Sequence, residues 1–545
     1  MRIQVFAHGH VFDGRTHRPD HGLVVADGRV VDVAPDEDIR SGLDFHRRKG
    51  AEIVDLAGGL VLPGFQDAHV HAVQAGIERT RCDLTRVIER SDYLLAVRTY
   101  AERQAAGEWV LGGGWAMPAF GPAGPLAADL DSLLGDRPVF LPSRDHHSAW
   151  VSGAALRLAG VDRNTSDPPD GRIERDAEGA PTGTLHEGAM GLVERVVPAT
   201  PDWECDAGLR VAQSYLHSLG VTAWQEAIMG AFAGDDDAAP TYLRAVEAGT
   251  LTARVRGALW WQRDEGLAQV DRLLERRTAF TRGRLSAGSV KVMQDGIVEN
   301  YTAGMSRPYL DGSGGDTGNS GLSFVDPRVL GDAVTRLDAE GFQVHVHAIG
   351  DRAVGEALDA FARARAANGP SRGRHHIAHI QVVSPGDRQR FADLDVTANM
   401  QALWAVNDDA MAEMTLPFID PELAGWQYPF ASLARTGARL AAGSDWPVST
   451  PDPLAAIHVA VNRTSPDEDT GPLLPEEALT VQQAFAAYTS GSAYVNHLDD
   501  TGHLAPGMRA DLAVLDRDPF AGEPDALAQA RVVATYVDGR CVHQT

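Results

Sequence analysis

Cysteine is nearly absent from this chain. Cys82, Cys205 and Cys541 are the three in 545 residues. So odd and scattered a set supports neither a disulfide framework nor a thiolate zinc site. Long apolar runs are missing too: no stretch approaches ~18 residues, so no membrane span is expected. The opening residues, Met1 to His8, lack the apolar core and cleavage signature of a secretory leader, and the cytoplasm is the expected location. Basic charge is short: 49 Lys and Arg against 75 Asp and Glu leave a formal charge of −26. That deficit argues against nucleic-acid and anionic-membrane partners. A small-molecule substrate is the expected partner, with a homodimer left open.

What is present is ordinary globular material, 44% hydrophobic and 23% charged, enough for a large core. Both ends read as short strands. Asp27-Gly28 sits between Gly22 to Ala26 and Arg29 to Val33, and Asp538-Gly539 follows Arg531 to Val537, each a hairpin signal. Residues 1–58 and 490–545 are therefore expected to form one small β-sandwich domain from both termini. Between them, strands are expected over 60–71, 221–227, 254–261, 286–294, 341–348, 374–381, 395–401 and 438–444. Amphipathic helices fill most of the later gaps. From Pro327 to Glu340, for example, Val329, Leu330, Ala333, Val334 and Leu337 share one face. Eight strand–helix units predict an α/β fold, a TIM-like (β/α)8 barrel over 59–489 with active groups at the C-terminal strand ends. A doubly wound sheet is the alternative. Residues 72–220 are too long for one crossover. They are expected to be an insertion covering the barrel mouth. The Gly-Pro-Ala-Gly-Pro run at 121–125 falls inside it, and the acidic run 234–239 reads as a solvated loop.

The pair His69-Val70-His71 closes the first of these strands. Residues two apart on a strand face the same way, so two imidazoles converge at one strand end, and neutral imidazole is the commonest protein ligand for zinc and related metals. With 20 His in the chain, one such pair is weak evidence. The later strands carry more. Lys291 stands in Ser289 to Met293, and His345-Val346-His347 is a second pair of the same spacing. His379 lies in an apolar run, and Asp445 follows Gly443-Ser444. A core histidine, a cap or a Lys291–Asp295 pair would explain each alone. Together they end strands one, four, five, six and eight, which a barrel brings to one axis. A shared metal satisfies them jointly, where separate burial would cost several kcal/mol.

The segment Pro63-Gly64-Phe65-Gln66-Asp67-Ala68-His69-Val70-His71 resembles the first-strand signature of the amidohydrolase superfamily. Further segments resemble its YtcJ-like branch (amidohydrolase family 3), which includes N-substituted formamide deformylase. They include Gly113-Gly114-Trp115, residues 145–151, Lys291-Val292-Met293-Gln294-Asp295-Gly296, residues 347–354, Gly443-Ser444-Asp445-Trp446-Pro447-Val448 and residues 502–512. Coverage is nearly end to end. The resemblance implies a divalent metal, zinc, as one or two ions. His69, His71 and Asp445 would hold one, and His347 and His379 a second. Lys291 would be N-carboxylated and bridge the two. With a single ion, Lys291 is a charged neighbour instead. Trp115, His147, Glu187, Asp295 and Trp404 are the expected substrate contacts.

The chain departs from that branch at Ala378, where Glu is usual, at His146 for Gly, at Ser152 for Asn and at Glu226 for Asp. These positions sit near the expected pocket and shift the question to the substrate. His345 faces the same way as His347 and is a substitute ligand to weigh. The expected activity is hydrolysis of a C–N amide-type bond, an N-acyl or N-formyl amide or a cyclic amide, by metal-activated water, with Asp445 as proton shuttle. Alternatives are a deaminase of a ring C=N bond, a decarboxylase, and a catalytically silent binding protein.

Overall fold

A computed structural model describes residues 2–121, 124–232, 236–466 and 470–545. Pro122 and Ala123 of the Gly-Pro run, and Gly234 and Asp235 of the acidic run, lie outside the described residues. The rest of that acidic run is not simply solvated: the Asp236 carboxylate accepts from Thr200 N–H, and Asp237 pairs with Arg276 at 2.6 Å.

All eight expected central strands form one parallel sheet. They are β1 (Phe65–Val70), β2 (Val221–Met229), β3 (Arg254–Trp260), β4 (Leu285–Met293), β5 (Gln343–Ala348), β6 (His376–His379), β7 (Thr397–Met400) and β8 (Leu440–Ala442), each laddered to the next. The ring closes beyond β8: Asp445 N–H donates to His69 O at 2.8 Å and His71 N–H to Trp446 O at 2.9 Å. This is the barrel, not the doubly wound sheet. Its helices cover the outside as the pattern requires. In Pro327–Ala339 the Asp326 carboxylate caps Arg328 and Val329 N–H, and Leu330, Ala333, Val334 and Leu337 are buried. Each Leu stabilises by ~1.5–3 kcal/mol on burial. Among the described residues no helix is long and apolar enough to cross a membrane.

The expected strand 60–71 divides at Gly64. Leu60–Pro63 joins the terminal domain, pairing with Leu512–Leu515 and His10–Phe12, while Phe65 starts the barrel. The chain turns there against Thr222, whose methyl lies 2.3 Å from where a Cβ on Gly64 would stand. Only glycine fits that approach. The terminal domain is two sheets, one of four strands from residues 3–55 and one of six from both ends. Phe6, Leu23, Val61, Leu512 and Tyr536 are buried between them. Asp27-Gly28 and Asp538-Gly539 all have positive φ, from 48° to 78°, the left-handed pair that a type I′ hairpin turn demands.

Residues 72–220 are not all insertion. Ala72–Glu78 and Asp202–Ser218 pack into the barrel's own core. Between them lies a six-stranded mixed sheet, Cys82–Asp83 to Pro181–Glu187, with buried clusters of its own. Its turn at 143–147 and the end of Pro181–Glu187 reach the mouth of the barrel.

Candidate metal centre

The barrel mouth opens into a cavity of about 1290 Å³, lined among others by His69, His71, Lys291, His347, His379 and Asp445. The alternation of each strand fixes the facing of these side chains, and the ladder register fixes their depth. Lys291 stands level with His345, Met293 with His347, and Ala348 with His379.

Asp445 is the meeting point. Its Oδ1 lies 3.1 Å from His69 Nε2 and 3.1 Å from His71 Nε2, and its Oδ2 lies 3.9 Å from His379 Nδ1. Ligands bound at about 2.0–2.1 Å in a tetrahedral shell stand roughly 3.3 Å apart, and His69, His379 and Asp445 are close enough together to share a cation, with His71 on the same carboxylate. Both ring nitrogens of His379 are buried without a hydrogen-bond partner. Such nitrogens are costly unless a ligand takes them. The donor set of imidazoles and one carboxylate therefore fits a divalent ion of the zinc type. Burial pushes the His69 imidazolium down to about 3, and Lys291 adds to the effect. His347 and His379 are held well below the ordinary range, again first by burial. All three rings are thus neutral. Burial alone would raise the Asp445 carboxyl, but the facing imidazoles hold it well below its usual value, so it remains an anion. His379 and Asp445 have φ of +79° and +55°, left-handed backbone that costs on the order of 1 kcal/mol or more at each residue.

His345, the substitute ligand to weigh, lies below the cavity. Its Nε2 is 3.0 Å from His69 Nδ1. With His69 Nδ1–H donating there, the Nε2 lone pair is free to face Asp445 and the cavity. Three further groups hold the centre without any signal in the spacing. Asp67 accepts His69 N–H, Ser444 N–H and Ser444 O–H. Glu226 accepts the N–H of Ala72, directly after His71. Gln401 accepts His379 N–H at 2.6 Å. Asp67 sits inside the first-strand motif, and Glu226 stands at one of the departures from the branch, so of the three only Gln401 had no signal. Ala378 offers His379 no carboxylate of its own, and Trp404 stacks on the His379 ring at 5.2 Å and 4°.

Lys291 Nζ lies 3.4 Å from His69 Nε2 and 3.5 Å from His345 Nε2. No carboxylate among the described residues is within ion-pair distance, and burial pushes the ammonium down to about 7. Asp295, an expected partner of Lys291 and an expected substrate contact, instead lies behind His347, its Oδ1 3.6 Å from His347 Nε2. It is fully buried and occupied by the N–H groups of Gly304, Ile349 and Gly350, at 2.9, 3.0 and 2.9 Å. Trp115 is also withdrawn: it is fully buried in the insertion, its indole N–H donating to Leu141 O at 2.8 Å. Both corrections have one cause, since a buried polar group goes where its hydrogen bonds are met. Trp404, His147 and Glu187 do line the cavity. His147 Nδ1 sits 3.0 Å from Glu187 Oε1, and its ring centre is 5.9 Å from that of His347. Burial opposes a charge on His147, but Glu187 outweighs it and the imidazole is pushed up to about 9.

The sequence pattern of the amidohydrolase family matches residues 52–543. YtcJ of Bacillus subtilis (strain 168) is 29% identical over 497 residues, covering 90% of each chain. An N-substituted formamide deformylase of Arthrobacter pascens is 28% identical over 544 residues, covering 95% of this chain and 94% of that one. The crystal structure of an uncharacterized metal-dependent hydrolase from Pyrococcus furiosus superposes with a TM-score of 0.71 at 27% identity, covering 95% of this chain and 99% of that one. The chain belongs to the amidohydrolase family and is a metal-dependent hydrolase of carbon–nitrogen bonds.

Proposed function

We propose that the chain hydrolyses an N-acyl, N-formyl or cyclic amide at a zinc centre held by His69, His71, His379 and Asp445, with His347 beside it. The observation that carries this reading is the convergence of the His69, His71 and His379 imidazoles on one buried carboxylate, with neither ring nitrogen of His379 hydrogen-bonded. A divalent ion there supplies Lewis acidity, polarising a carbonyl and acidifying water. The residues do the rest. As water adds to the amide carbon, the Asp445 carboxylate takes its proton. Asp445 returns that proton to nitrogen as the C–N bond breaks, leaving a carboxylic acid and an amine. His147, its Nδ1 held by Glu187, keeps Nε2 for the cavity and donates to the substrate carbonyl.

Lys291 is read as N-carboxylated. Lys49 is the only other lysine in a chain that otherwise uses arginine. A guanidinium stays protonated, whereas a buried amine loses its proton readily and can add carbon dioxide to become a carbamate anion. That anion would stand beside His69 and add a second negative charge to that of Asp445.

Exchanging Asp445 for Asn tests the reading. Asp445→Asn keeps the shape of the side chain and removes the base, so turnover of an N-formyl amide should fall by about a thousandfold or more, with the melting temperature little changed. Near-normal turnover would refute the assigned role.

A further inference from the structure

The cavity extends past the metal centre, and the turn at 143–147 forms part of its wall. That turn is fixed. Arg144 N–H donates to Trp115 O at 2.8 Å, and Asp145 Oδ1 accepts Ser143 O–H at 2.6 Å and His147 N–H at 2.8 Å. His147, at its end, faces His347. Arg144 lies three residues earlier, at most ~11 Å along the chain, and its side chain lines the same cavity.

Arg144 is incompletely satisfied. Its Nη2 donates to Thr85 O at 3.1 Å, and its Nε is buried with no hydrogen-bond partner. No carboxylate among the described residues lies within ion-pair distance of it. Asp145 is spent on its own turn. Asp408, which feels the Arg144 charge, accepts Met411 N–H instead. The other guanidinium deep in the cavity, Arg263, also has a buried Nε without a partner, but it differs in having an acid: it pairs with Asp170 at 2.7 Å and lies 3.7 Å over the Phe324 ring. Arg79 and Arg86 also line the cavity and are likewise outside ion-pair distance of any acid among the described residues, while Asp409 and Glu413 line it from the segment after β7. In a chain of charge −26, an inward guanidinium without an acid is a site for one. Its planar fork matches a carboxylate with two parallel hydrogen bonds.

We propose that Arg144 binds an anionic end of the substrate, so that the hydrolysed amide carries a carboxylate on the portion away from the scissile bond. This inference rests on the amide-hydrolysis reading for its substrate class but not for the anion site itself. The test uses zinc-loaded enzyme and two formamides differing only in charge, N-formylphenylalanine and N-formylphenylalaninol. The wild type should favour the carboxylate in kcat/KM by about tenfold to a hundredfold. Arg144→Met should erase that preference through KM and leave the alcohol unchanged, with Arg144→Lys intermediate. Calorimetry with 3-phenylpropionate and 3-phenylpropanol reads the same discrimination without turnover. Equal affinity of wild type and Arg144→Met for 3-phenylpropionate, or an unchanged preference between the formamides, would overturn the proposal. Arg144-dependent binding with neither formamide cleaved would support the anion site and count against the amide reading.

Discussion

Two His-x-His pairs stand on opposite walls of one barrel, and they do different things. In His69-Val70-His71 both rings reach the same oxygen of Asp445, at 3.1 Å each. In His345-Val346-His347 only the second ring lines the cavity; the first lies beneath it and holds His69 Nδ1. Alternation is the same in both: residues two apart face the same side. Depth differs. His345 and His347 are both inside β5, so ~6.6 Å of strand separates them along the wall. His71 has already left its strand and starts a helix, with φ −111° and ψ 66°, which swings its ring back toward the oxygen His69 faces. Spacing therefore identifies a shared face, and the strand's end decides whether that face is also a shared site.

Substitution sharpens this contrast. His71→Ala and His347→Ala, at cavity positions, should each lower kcat/KM on the preferred amide by about a hundredfold or more, measured at saturating zinc. His345→Ala should cost less, about ten- to a hundredfold in metal affinity, read by zinc titration against a chelator. His345→Gln, which keeps an acceptor for His69 Nδ1–H, should recover most of that loss. Equal defects in His345→Ala and His347→Ala would erase the difference between the pairs. The smallest effect belongs to Trp404→Ala, which removes only the stacked support of His379. A few-fold fall in kcat/KM with an unchanged melting temperature is expected there, and a null effect would leave Gln401 as the sole restraint on that residue.

Much of the architecture was legible from periodicity. Eight strands, the barrel, the hairpin turns at Asp27-Gly28 and Asp538-Gly539 and the helix starting at Pro327 all follow from local patterns. The break at Gly64 was not legible, because it depends on Thr222, which lies far along the chain. Of the site, the residues brought to Asp445 were visible as strand-end polar groups. Trp115 and Asp295 were placed by motif proximity, and the structure uses both for buried hydrogen bonds that no spacing announces. His345 was ambiguous for the reason given above. Lys291 had a signal in composition, since lysine is otherwise almost unused.

The measurement that bears most directly on the central claim is metal content against turnover in the full chain. Zinc is removed with a chelator, then restored while bound metal and amide hydrolysis are followed together. The account predicts that hydrolysis disappears with the metal and returns in proportion to it, and that Asp445→Asn stays silent even when reloaded. Undiminished hydrolysis by metal-free protein would contradict it.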